Sequence, residues 1–302
     1  MPWYGSGGAT YLHLPDAGSD LPAGFIQARK HPARPEASID YLAPGMKHHT
    51  RADDVARKLL KHLIRQAGDF GIQRLYTCLP TQTEITRVVA GSGFALYVRE
   101  TLFRLNLPRR TENLPVARHV RPQHALDSVA LQRLSDRHTP PVVQKAEGVA
   151  SQDNHGPDHT TIFQTWWPPV GLTGLVYVKD EAIVGAVRMR SGRSGHWLHF
   201  VGDVTKHAIM RALLIAVLRT LPQDDLPIYC GVRGYQSALG PILVDSGFEI
   251  VTELARFVKH TTVSIKKTVP AASRLLAEPS LGAQMAVPTP ATNVKQHLIR
   301  EE

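Results

Sequence analysis

Several groups of residues have side chains suited to chemistry. His196 and His199 lie in Gly195-His-Trp-Leu-His-Phe-Val201, a run with strand character. A neutral imidazole in such a place can take a proton from an amine near neutral pH. Residues three apart on a strand point to opposite faces, so these two histidines cannot serve one site, and the other packs against Trp197 or Phe200. Asp153, His155, Asp158 and His159 place metal-capable groups in a polar stretch, but their spacing matches no zinc pattern, so a solvated loop and no metal are expected. Cys78 and Cys230 have no base beside them in sequence and are expected to act as small buried hydrophobes. Trp166-Trp167 before Pro168-Pro169 is expected to cover a core edge rather than to stack bases. Lys58, Lys61 and Arg65 share one helix face, and Arg188, Arg190 and Arg193 share a hairpin end; both sets are expected to be solvated.

The elements that position these residues follow from periodicity. Val55, Leu59, Leu60, Leu63, Ile64 and Ala67 fall at helical spacing behind Asp53 and Asp54, whose carboxylates complement a helix N-terminus. A short apolar run, Arg74 to Leu79, stops at Pro80; a helix fits Glu84 to Ala90; and a strand fits Phe94 to Leu105. The same order returns as a helix over Ile209–Leu218, a strand over Pro227–Cys230, a helix over Tyr235–Val244 and a strand over Glu249–Val258. Leu59 and Leu213, Leu60 and Leu214, Gln82 and Gln236, Gly93 and Gly247, and Phe94 and Phe248 are all 154 apart. That constant offset marks an internal duplication. The cysteines, 152 apart, are expected at equivalent strand ends. The second copy is preceded by an amphipathic stretch, Ala125–Arg137, and by a hairpin, Leu175–Val178 and Ala182–Arg188, around Lys179-Asp-Glu.

With 302 residues, 43% of them apolar and 20% charged, the chain can bury a large core, and no apolar run is long enough to span a membrane. The opening residues show no basic stretch followed by an apolar one, and two cysteines cannot make a disulfide framework, so a cytoplasmic protein is expected. Thirty-five basic against 26 acidic residues give +9, which favours a phosphate-bearing partner, either nucleic acid or a phosphorylated cofactor.

Hairpin, strand, helix, strand, helix ending in Gly-Phe, and closing strand is an order that resembles the GNAT acetyltransferase superfamily. The residues that carry it are Val184-Gly-Ala-Val-Arg188, Leu213-Leu214 and Ser246-Gly-Phe248 in the second copy. In the first they are Ala23-Gly-Phe-Ile-Gln27, Leu59-Leu60 and Ser92-Gly-Phe94 with its strand. The resemblance implies an α/β fold with a mixed sheet, made of two GNAT-like units in tandem with the first truncated. The expected division is 1–107 for the truncated unit, 108–119 for a linker, 120–267 for the second unit and 268–302 for a flexible tail.

It also implies acetyl-CoA or another acyl-CoA as cofactor, seated between two splayed strands with its pyrophosphate on a helix N-terminus. Carried over, the cofactor residues are Val201, Gly202, Lys206, His207, Ala208, Ile209, Met210 and Arg211, and His199, nearer the cofactor end of its strand, is the base. The family's glycine-rich phosphate motif is degenerate in both copies: Arg51-Ala-Asp-Asp-Val-Ala56 has Asp54 at its central position, and Thr205-Lys-His-Ala-Ile-Met210 has Ala208 there. The tyrosine that protonates the leaving thiolate is replaced by Val89 and Leu243, while Gln82 and Gln236 hold an asparagine-like position. The implied activity is N-acyl transfer to a small-molecule or peptide amine. A non-catalytic binding protein of the same fold, or a nucleic-acid-binding protein, are the alternatives.

Overall fold

The computed structural model describes residues 8–31, 34–43, 51–81, 83–106, 119–148, 172–221 and 226–261. The first half runs β1 (Gly8–His13), β2 (Gly24–Lys30), β3 (Glu36–Ala43), α1 (Ala52–Asp69), β4 (Arg74–Pro80), α2 (Glu84–Gly91) and β5 (Ala95–Leu105). The second half opens with β6 (Val120–Pro122), α3 (Ser128–His138) and α4 (Pro141–Ala146). It continues with β7 (Leu172–Lys179), β8 (Ala182–Gly192), β9 (Gly195–Gly202), α5 (His207–Thr220), β10 (Ile228–Arg233), α6 (Leu239–Asp245) and β11 (Glu249–His260).

All eleven strands join one mixed sheet in the order β1-β2-β3-β4-β11-β5-β10-β9-β8-β7-β6. Each half contributes an antiparallel meander (β1-β2-β3 and β7-β8-β9) and then a parallel neighbour (β4 and β10). The closing strands are exchanged: β11 pairs with β4, and β5 pairs with β10, both antiparallel. At the centre Glu100 on β5 faces Leu254 on β11. Their numbers differ by 154, so the axis relating the halves passes between them.

One face of the sheet carries α1, α2, α5 and α6. Leu59, Leu60 and Leu63 of α1 are buried against β1, β2 and β4 and against Ala255 and Phe257 of β11. Met210, Leu213, Leu214 and Val217 of α5 are buried against β8, β9 and β10 and against Phe103 of β5. Each half's core therefore closes on a strand of the other half. Gly185 on β8 lets α5 approach closely, since a Cβ there would lie 3.0 Å from Ile209 Cγ2. The β7–β8 turn is two residues, Asp180 and Glu181, both at positive φ (49° and 61°), the twist that closes a tight hairpin.

Among the described residues, the opposite face carries α3 and α4 alone. Leu131 and Leu134 of α3 cover Val176, Ala186 and Val201, while Ala146 at the end of α4 packs on Tyr76 and Val258. The segment read as the second unit, from residue 120, opens with an edge strand, β6, paired with β7, and α4 reaches across to the first half. No helix among the described residues is long and apolar enough to cross a membrane.

The cysteines are not equivalent. Cys78 faces Arg256, and the axis relates that pair to Gly231 facing Leu102, so Gly231 is the counterpart of Cys78. A one-residue difference in the strand puts Cys230 in the α5 core and Cys78 on the opposite face. Burial pushes both thiols up, which suits small packed groups rather than nucleophiles.

Candidate active site

The parallel strands β9 and β10 pair at only three positions, His196–Leu198 with Ile228–Cys230. Beyond Leu198, β9 continues to Gly202, and beyond Cys230, β10 continues to Arg233, without pairing. The strands part there and leave a cleft. In the first half β3 and β4 also pair at three positions, Glu36–Ser38 with Arg74–Tyr76, and then part. Gln236, in a 3-10 turn after β10, reaches over the second-half cleft, and its Nε2 donates to the Phe200 carbonyl at 3.0 Å.

His199 stands where the strands part, on the α3/α4 face, with Arg188 of β8 directly opposite in register. It is partly exposed. Its pKa is held well below the usual histidine value, first by burial and then by Arg233, Arg188 and Arg256. The imidazole is therefore neutral at pH 7 and able to accept a proton. His196 points the other way, is 1% exposed, and has Nδ1 2.8 Å from Ser191 Oγ. It is a satisfied core residue.

The residues carried over as cofactor contacts fall at the end of β9 and the start of α5. Val201 is buried, and Gly202 has φ +125°, where a Cβ would lie 3.0 Å from the Val184 carbonyl oxygen. Lys206, His207 and Ala208 are exposed at the α5 N-terminus, Ile209 is half-buried, and Met210 lies fully in the core. The Ile209 and Met210 N–H groups both donate to the Lys206 carbonyl. Arg211 is turned to Asp245 of α6, 3.0 Å away. Asp203 lies in the loop before the helix, where its Oδ1 accepts from Thr205 N–H (3.1 Å) and Oγ1 (2.6 Å), while Lys206 Nζ is 3.9 Å from its other oxygen. A carboxylate is thus already present at the positive end of α5. In the first half Arg51 pairs with Asp54 and Arg57 with Asp53, so α1 also carries its own anions.

Val89 and Leu243, where the family has an acid, are buried in the two cores. Sequence reasoning missed Tyr235. Its hydroxyl sits beside the end of β10 and accepts from Arg233 Nη1 at 3.3 Å. The signal was a tyrosine just past the strand that borders the cleft.

Around His199 the sheet surface is charged. Arg104, Tyr229, Trp197 and Arg190 form one row across β5, β10, β9 and β8. The Trp197 and Tyr229 rings stack with centroids 4.7 Å apart and planes at 23°. Further along, Arg233 is held by Glu147 through two hydrogen bonds of 2.8 and 3.2 Å, and Arg256 by Glu100 at 2.7 and 3.1 Å. Arg188 is not the solvated hairpin-end cation expected, because it lies mid-strand between Gly174 of β7 and His199 of β9 and is only 9% exposed. The residues 153–159, Trp166, Trp167, Gln82 and the tail beyond 261 lie outside the described residues. Among the described residues no cluster of metal-capable groups occurs.

No known family profile and no curated protein matches the chain. Solved structures do. A GCN5-related N-acetyltransferase from Sphaerobacter thermophilus superposes with a TM-score of 0.51 at 12% identity, covering 80% of this chain and 78% of that one. One from Kribbella flavida gives 0.48 at 12% identity, with 78% and 86% covered. A tandem GNAT protein from the clavulanic acid biosynthesis pathway gives 0.48 at 15% identity, with 80% of each chain covered. The chain has the GNAT fold, an α/β mixed sheet in which the unit occurs twice.

Proposed function

We propose that the protein is an acyltransferase that moves an acyl group from acetyl-CoA or another acyl-CoA to an amine, with one site, in the second half. The observation that carries this reading is the parting of β9 and β10 at the position of a neutral His199. Val201 and Gly202 pair with β8 on one edge, while β10 does not pair with them on the other, which suits an extended pantetheine arm on that edge. Lys206, His207 and Ala208 at the α5 N-terminus would meet the phosphates, with Asp203 opposing them.

When bound, the cofactor supplies a thioester activated toward nucleophiles. His199 would take a proton from the acceptor's ammonium and free the amine for acyl transfer, and the nitrogen's second proton would replace the one that Tyr235 gives to the departing sulfur. Tyr235 is the hydroxyl the second half offers for returning a proton to the departing sulfur. Acyl transfer can be followed by free-thiol release with a panel of small amines. His199→Ala is expected to lower kcat by roughly 100-fold or more and to leave acetyl-CoA affinity unchanged. An undiminished rate would remove His199 from this role.

A second reading, a binding protein that kept the fold without the chemistry, is favoured by one observation. The acid positions, Val89 and Leu243, are wholly core, and a carboxylate sits at each phosphate-binding helix end.

A further inference from the structure

We propose that the acceptor is an α-amino acid, its carboxylate held by Arg188 and its amine presented to His199. This rests on the acyl site being in the second half as proposed above.

The argument begins with charge matching. Three arginines on this face have a carboxylate partner: the buried Arg233 has Glu147, and the half-buried Arg256 and Arg74 have Glu100 and, at 3.1 Å, Glu36. Arg188 has none. It is nine-tenths buried, its Nε is fully enclosed, and neither a hydrogen bond nor an ion pair reaches that atom. Burial alone displaces its pKa, downward, and no anion opposes the shift. A guanidinium kept out of water without a counter-charge is costly unless the missing partner arrives with a ligand. A single unpaired guanidinium, planar and forked, suits one carboxylate.

Register then sets the spacing. Arg188 and His199 are direct cross-strand partners on the same face, so their side chains rise side by side, roughly 5 Å apart at Cβ. A ligand touching both must carry its amine and its anion close together. In an α-amino acid they sit on one carbon. A peptide N-terminus lacks the free carboxylate, and a long diamine lacks the anion altogether. Two residues before His199, on the same face, the Trp197–Tyr229 stack is partly exposed and offers a flat platform for an apolar or aromatic side chain. Arg188 is also one of the cations that depress His199. A bound carboxylate would offset that charge and raise the proton affinity of the base as the acceptor arrives.

The test is calorimetric titration of the full chain, without acetyl-CoA, using L-alanine, L-phenylalanine, their carboxamides and 1-amino-2-phenylethylphosphonate. At least one amino acid is expected to bind roughly 10-fold or more tightly than its amide, since the amide cannot offer a charged acceptor. Arg188→Met is expected to abolish that preference while raising the melting midpoint, because it removes a buried unpaired charge. Arg188→Lys keeps a charge without the fork and is expected to bind weakly. Equal binding of acid and amide, or an intact preference in Arg188→Met, would overturn the proposal, and so would no binding by any probe. Preference for the phosphonate would overturn the carboxylate assignment. If acetyl-CoA fails to bind while the acid-over-amide preference survives, the acyltransferase reading falls and the carboxylate site stands.

Discussion

In the proposed mechanism His199 serves as base because its surroundings keep it neutral. A histidine in an unfolded chain protonates near pH 6.5, whereas burial and three arginines hold the folded one lower. Between those two values the unfolded state binds more protons, so this residue costs stability as pH falls from 7 through 6.5 toward the folded pKa. An NMR titration of the His199 ring should give a midpoint below 6.5, and kcat/KM should keep its full value down to that same pH. A midpoint at or above 6.5 would mean that the arginines do not act on it. Part of this was legible in the sequence: the two-residue strand period already put His196 and His199 on opposite faces. The burial of Arg188 was not, because it depends on which strands flank β8 and on what lies over that face, and no local pattern in β8 reports either. Glu147, Glu100, Arg233 and Arg256 escaped for the same reason. Their pairing joins residues 86 and 156 positions apart.

Among the elements, α5 is the one that would set acyl-CoA affinity under the proposed function. Its first turn holds no acidic residue, and its dipole favours an anion, yet Asp203 sits at that end with its charge reinforced by Thr205, which lowers its pKa. Replacing this carboxylate removes a like-charge repulsion of about 0.5–1 kcal/mol for charges about 4–8 Å apart in water. Asp203→Asn should therefore tighten acetyl-CoA binding about 2- to 5-fold by calorimetry, and looser binding would show that Asp203 helps to build the loop more than it repels phosphate. The helices α1, α2 and α5 and the strands β4, β5, β10 and β11 followed from periodicity because each has a one-sided apolar pattern, whereas β1, β3 and β6 were not read as strands. The six-residue α4, Pro-Val-Val-Gln-Lys-Ala, is too short to show one and was missed.

The whole molecule is built on strand exchange. The 154-residue offset exposed the duplication, but strand composition says nothing about which neighbour a strand takes, so the crossed pairing of β5 and β11 was hidden. Because β11 completes the first half and β5 the second, neither core closes without the other. Fragments 1–107 and 120–261, produced separately, should each lack cooperative unfolding, and a mixture should recover it. A separately stable half would contradict the exchange. Among the described residues, only the second half has a histidine where its strands part, with α3 on the same face. The most direct measurement of the account is therefore a calorimetric titration of the full chain with acetyl-CoA. One site per chain is expected; two sites, or no heat at millimolar cofactor, would contradict it.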